Sequence, residues 1–333
     1  MDAFTVQERI AYFSMEIALS SDIPTYSGGL GVLAGDTLRA AADCELTMVG
    51  VTLASTRGYF RQQIDSSGWQ TEQEEPWEPA AFARQVDAQV CVPVEGRDVW
   101  VGGRIYPVEK ITGGRVPVIL LDTDLQSNET ADRELTHHLY GGDTVYRLKQ
   151  EIVLGIGGAR MLDALGFRIR QYHMNEGHSA LLALHLLNRH VHPEQDVHQG
   201  ESRYDLPAVR DRCNFTTHTP VEAGHDRFGY DRVQRVLGSF VDLALVRRLA
   251  GEDSLNMTRL ALESSEYVKG VAKRHAETSR RMFPGYRVRA VTNGVHSSSW
   301  AAAPLRRLFD AFLPAWRHEP EVLVRACPCP AAP

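Results

Sequence analysis

Nowhere in the 333 residues do about eighteen apolar side chains follow one another, and the residues after Met1 carry neither the basic stretch nor the apolar core of an export signal. That excludes a helix built to span a bilayer and points to a cytoplasmic protein with no membrane partner. Cysteine is scarce: Cys44, Cys91 and Cys213 stand far apart, and only Cys327 and Cys329 are close. This is neither a disulfide framework nor zinc spacing, so free thiols and no metal are expected. Lysine is scarcer still, confined to Lys110, Lys149, Lys269 and Lys273, which leaves few candidates for Schiff-base chemistry. The net charge of −6 is spread without long blocks of one sign, so the basic footprint of a nucleic-acid binder is missing. The dinucleotide fingerprint GxGxxG, the GxSxG elbow, HExxH and the P-loop are all absent. Carboxylates are too numerous for spacing alone to single out a glycosidase pair.

What is present suffices for a large core, with 43% apolar and 23% charged residues in a chain longer than the usual single domain. The run RIAYFS at 9–14 reads as a buried strand, the loop to Gly31 as a glycine turn, 32–44 as a helix and TMVGVTL at 47–53 as a second strand. This β-α-β opening predicts a parallel pair and a doubly wound α/β sheet. Between 58 and 121 short β-rich runs with glycine turns suggest hairpins inserted on the sheet. Helical spacing returns over 143–163, a strand at 171–174 runs into a second helix, and Asn214–Pro220 reads as another strand with a polar end. A charged loop is expected near 193–211, helices around 254–262 and 267–282, a strand ending at Asn293 and an amphipathic stretch at 304–312. The periodic signal fades near Pro320, so residues 1–320 read as the folded unit and 321–333 as a disordered or truncated tail.

Ligands of open α/β sheets bind outside the carboxyl ends of the strands, and four polar runs fall there. Gly28, Gly29 and Gly31 open a helix whose bare N–H groups suit an anion such as phosphate; taken alone, such a turn is more often a tight connection. Asn175, Glu176 and His178 place an amide, a carboxylate and an imidazole at a helix start, where capping is the alternative. His218, between two threonines and before Pro220, is either a ligand-facing group or a satisfied core histidine. Asn293-Gly294 reads alone as a turn.

Taken in order, these runs resemble the α-glucan (glycogen, maltodextrin) phosphorylases, in their compact bacterial form, over about residues 9–318. The carriers are Tyr12–Glu16, Ser27–Ala34, Arg147–Glu151, Asn175–His178, His218-Thr219 and Thr292–Gly294. The resemblance implies a GT-B fold of two Rossmann-like domains with pyridoxal phosphate between them. This chain would supply the N-terminal domain, and the C-terminal domain with the cofactor lysine would be missing. It implies retaining phosphorolysis of α-1,4-glucan ends by inorganic phosphate to give glucose 1-phosphate, with the chain inactive alone. It assigns His218 and Asn293 to the reacting glucose, and Asn175, Glu176, His178 and Leu30 to the sugar pocket. Gly28, Gly29 and Gly31 fall to the cofactor and substrate phosphates. Half a cleft leaves apolar surface to cover, so self-association into a homo-oligomer is a further expectation. Two other readings are a nucleotide-sugar glucosyltransferase like the glycogen and starch synthases, and a non-catalytic glucan-binding remnant.

Overall fold

The computed structural model describes residues 2–109, 114–198 and 201–326. Its fourteen described strands are β1 (Arg9–Ser14), β2 (Met48–Leu53), β3 (Arg61–Ile64), β4 (Gln70–Gln73), β5 (Arg84–Gln85), β6 (Val90–Val94), β7 (Arg97–Glu109), β8 (Arg115–Asp122), β9 (Ile169–Asn175), β10 (Cys213–Thr217), β11 (Arg227–Gly229), β12 (Ser254–Asn256), β13 (Tyr267–Gly270) and β14 (Val288–Ala290). The central sheet runs β14-β13-β10-β9-β1-β2-β8-β7-β5. Every pair from β14 to β8 is parallel, and β7 turns the edge antiparallel, pairing with β8, β5 and β6.

Alternation along the strands builds two cores. Ala11, Phe13, Val51, Leu53, Ile119 and Leu121 face one layer, covered by the helical run 144–164 and the helix Leu181–Arg189. Tyr12, Met48, Val118 and Leu120 face the other, against Ala34, Leu38 and Ala41 of the helix Gly29–Asp43. Both faces of a parallel sheet must be covered, which is why these strands are nearly continuous apolar runs. Glycines set the helix–sheet approach: a Cβ on Gly158 would lie 2.7 Å from Phe13 and 2.8 Å from Val51.

Several expectations shift. The β-rich stretch from 58 does form hairpins, but β6–β7 and β7–β8 extend the sheet itself, the 13-residue β7 pairing along all of β8. Only β3–β4 stands apart as an exposed hairpin, with Trp69 75% accessible. Residues 267–270, read as helix, form β13: the apolar Val268 is buried and the segment pairs with β10 and β14. Part of the expected loop at 193–211 is the helix Leu206–Arg212, capped by the Asp205 carboxylate on Ala208 N–H at 3.0 Å. Residues 320–326 make a 3-10 helix, whereas 327–333, with Cys327 and Cys329, and Lys110 lie outside the described residues. Cys44, Cys91 and Cys213 are unpaired. Among the described residues no helix is long and apolar enough to cross a membrane.

A Cβ on Gly35 would fall 2.2 Å from the Ala18 carbonyl oxygen, whereas one on Gly29 meets nothing within 4 Å. Gly35→Ala should therefore cost about 1–3 kcal/mol in urea unfolding, and Gly29→Ala should stay within about 0.5 kcal/mol of the parent.

Candidate functional site

Strand order reverses at β1: the chain runs outward through β2 and β8, then returns to add β9, β10, β13 and β14 on the other side. The loops leaving β1 and β9 diverge there and open a crevice at the carboxyl ends, the usual ligand position in such sheets. Asn175, ending β9, donates its amide to Ser14 Oγ at the end of β1, 3.1 Å away. Ser14 in turn donates to the Glu16 carbonyl at 2.7 Å. With its amide nitrogen so used, Asn175 offers Oδ1 to His218 Nε2 at 2.7 Å. His218 thus carries its proton on Nε2 and keeps Nδ1 as an acceptor. Burial, then the fields of His275 and Lys269, push its pKa down to about 4, so the ring is neutral at ordinary pH. His173, 2.7 Å from Thr216 Oγ1, is pushed to about 3, first by burial.

Glu176 is 5% exposed and has φ +69°, ψ 172°, a backbone region that side chains other than glycine avoid. The turn aims its carboxylate across at the next strand end. One oxygen accepts His218 N–H at 2.8 Å, Thr219 N–H at 3.1 Å and the Thr219 hydroxyl at 3.1 Å. Burial raises this carboxyl's pKa while those donors pull it back. Glu176 therefore fastens the segment carrying His218.

A second buried carboxylate does the same for the glycine loop. Glu16, 3% exposed, accepts Ser27 N–H at 2.6 Å, Gly28 N–H at 3.1 Å and the Tyr140 hydroxyl at 2.8 Å. Gly31 packs so closely on it that a Cβ would lie 2.8 Å from Glu16 Oε2 and 2.5 Å from Tyr26. Gly28 and Gly31 are thus taken up by the loop's own anchor. Gly29 and the half-buried Leu30 open the helix, where N–H groups lack an acceptor within the helix.

The run Arg147–Glu151 meets the others beneath the crevice. The Arg147 guanidinium reaches Glu151 and Asp226 at 3.2 Å each and covers the Tyr140 ring at 4.3 Å. His178 Nε2 lies 3.6 Å from Asp226, its ring 5.6 Å from that of Tyr140. Burial, with Arg147 beside it, pushes His178 to about 3. Burial and the neighbouring Asp226 raise Glu151 well above the ordinary carboxyl range, whereas Asp226 is held low, with Arg147 beside it. Lys149 instead pairs with Glu95 at 2.7 Å, and Gln150 donates to the Leu135 and His138 carbonyls at 3.0 and 2.8 Å.

Asn175, Glu176 and His218 are in direct contact, His178 lies in the cluster beneath, and Asn293 is exposed past β14, two strands from β10, its N–H bonded to Val271 O at 3.0 Å. Sequence reasoning passed over Tyr140 and Asp226; neither stands in a run that marks itself by composition. Among the described residues no group of three His, Cys, Asp or Glu is placed to hold a metal. An apolar cavity of 440 Å³ between the helix Gly29–Asp43 and residues 294–298 and 317–320 contains none of these contacting residues.

Unfolded, the His178 imidazole titrates near 6.5, and folded only near 3. Between those values the unfolded chain holds a proton that the folded one lacks, so stability is complete above pH 6.5 and is lost as pH falls. The raised carboxyls Glu151 and Glu176 act in reverse, their contribution falling as pH rises. In unfolding measured between pH 6 and 4, His178→Asn should flatten the slope by about one proton, about 1.4 kcal/mol per pH unit. Glu176→Gln should cost about 1–3 kcal/mol at neutral pH, through donors left poorly matched.

No known protein-family profile matches the chain. Among curated proteins, the maltodextrin phosphorylase of Thermococcus litoralis is 35% identical over 340 residues, covering 95% of this chain and 39% of the relative. The glycogen phosphorylase of Mycobacterium tuberculosis is 36% identical over 329 residues, 88% of this chain and 37% of the relative. That of Aquifex aeolicus is 29% identical over 337 residues, 93% and 46% respectively. The chain therefore spans about two fifths of the length of the first two relatives. Its motifs and these likenesses agree: over about nine tenths of its length the chain is similar to the glycogen and maltodextrin phosphorylases.

Proposed function

We propose that this chain forms one wall of the active site of an α-1,4-glucan phosphorylase, which cleaves the terminal glucose with inorganic phosphate and retains configuration. The observation that carries the reading is the fixed, neutral constellation of Asn175, His218 and the Thr219 segment at the switch point. A neutral sugar is recognised by donors and acceptors held in place, and His218 offers Nδ1 as a free acceptor for a hydroxyl. Dipoles held rigidly around a carbon that becomes cationic stabilise charge as it develops, without reorganising. Glu176 keeps the His218 backbone aligned, and Asn293 stands at the outer edge on the same side of the sheet. These roles of His218 and Asn293 toward the glucose, and of Asn175, Glu176, His178 and Leu30 in the pocket, are our assignment.

Pyridoxal phosphate, implied by the family, fits only part of the glycine loop. Nothing lies within 4 Å of a Cβ built on Gly28 or Gly29, which leaves backbone room for an anionic group. Gly28 N–H is already given to Glu16, so Gly29 and Leu30 are what the loop has left to offer. When bound, the cofactor supplies a phosphate able to transfer a proton. Of the described lysines, Lys149 is engaged with Glu95 and Lys269 lies at the crevice beside His173 and His218. The cofactor's anchoring lysine and the phosphate-clamping side chains are assigned to the remaining length that the relatives possess. We place the protein in the cytoplasm, with the chain alone inactive.

Glucose 1-phosphate release from maltoheptaose and inorganic phosphate, with pyridoxal phosphate added, tests the reading. Activity is expected when the chain is extended to the length of its relatives and not in the 333-residue chain. His218→Ala in the extended form should lower kcat about 100-fold. A folded extended form that uses a sugar nucleotide instead, or binds maltooligosaccharide without turnover, would overturn it.

A further inference from the structure

Three runs that stand out in the sequence, Tyr12–Glu16, Arg147–Glu151 and Asn175–His178, meet on one side chain that belongs to none of them. We propose that Tyr140 is a positioning residue for the glycine loop, acting through Glu16. Its hydroxyl donates to Glu16 Oε1, while Oε2 of the same carboxylate accepts the N–H groups of Ser27 and Gly28. Burial and the adjacent Glu16 raise the phenol's pKa well above the usual value, so the proton stays on Tyr140 and the carboxylate accepts. The ring is fixed by Arg147 at 4.3 Å, by the His178 ring at 5.6 Å and edge-on by Tyr59 at 6.3 Å. Arg147 is itself held by Glu151 and Asp226.

The backbone shows the same purpose. Tyr140 has φ +58°, a left-handed conformation in which bulky side chains are rare and persist only where their surroundings impose it. The surroundings do so on both sides. Gln150 holds the His138 and Leu135 carbonyls before it, and Gly142 after it, at φ +71°, packs so closely on Tyr146 that a Cβ would lie 2.5 Å from that ring. Simple core filling needs no such conformation, and the ring is only partly buried. The conformation delivers the hydroxyl to Glu16, and Glu16 is the anchor of the loop from Ser27 to Gly31. The catalytic consequence rests on the phosphorylase reading; the ordering of the loop does not.

Tyr140→Phe removes the hydroxyl and keeps the ring, and Glu16→Gln keeps the shape and removes the charge. In the protein bearing either change, amide hydrogen exchange over residues 26–32 should quicken about five- to tenfold, the worth of about one hydrogen bond, with a cooperative unfolding transition retained. The double variant should be no faster than the single ones, since both remove one shared link. In glucan phosphorolysis by the extended form, Tyr140→Phe should lower kcat by a similar factor and leave the glucan KM unchanged. Unchanged exchange at 26–32 in both variants, or effects that simply add, would overturn the assignment. Exchange that responds as expected in an extended protein without phosphorolysis would remove the proposed function and leave the positioning role standing.

Discussion

Backbone N–H groups in the loops that leave a parallel sheet have no strand partner, and where they turn toward the protein they must be given acceptors. Here two buried carboxylates meet that need. Glu16 receives the loop that follows its own strand, and Glu176 reaches from the end of β9 to the segment that follows β10. Each ties a stretch without regular structure to a rigid strand end, and between them lies the crevice. A buried carboxylate is costly unless several donors surround it. The arrangement is thus mutual: the loops satisfy the charges, and the charges hold the loops.

This economy shapes the electrostatics of the whole crevice. His173, His178 and His218 are all held neutral by burial, burial raises the Glu151 carboxyl's pKa, and Arg147 is matched by Asp226. What faces the opening is mainly hydrogen-bonding capacity without net charge. Lys269 is the exception, a half-buried cation whose own pKa is lowered by burial and whose field helps keep His173 and His218 unprotonated. Such a surface discriminates by the direction of its donors and acceptors, and small rotations of a loop matter more than salt.

Much of this was legible in the residues. The apolar runs at 9–14 and 47–53 and the glycine turn between them imply a parallel β-α-β opening, and the structure has it. Asn175, Glu176 and His218 stand out because polar residues at the ends of apolar strands have few purposes. What stayed hidden has physical causes. Tyr140 is 124 residues from Glu16, and no local pattern records a contact made only by tertiary folding. The segment Tyr267–Gly270 is short and abuts a helix, so its period is swamped by its neighbour's. Glu176 reads as a helix-cap acid because the positive φ that redirects its carboxylate leaves no mark in composition.

The connection after β14 carries a consequence of its own. Asn293 is still bonded beside β13, yet His296, three residues on, gives its N–H to Asp36 at 3.0 Å and its Nε2 to Asp43 at 2.8 Å. Three residues reach about 10 Å at most, roughly two strand spacings, so the tether is short. Both of its moorings matter, because Asp36 and Asp43 belong to the helix whose first turn is the glycine loop. The outermost strand and that turn are thereby hitched to one rod, and neither end of the crevice has slack to drift from the other.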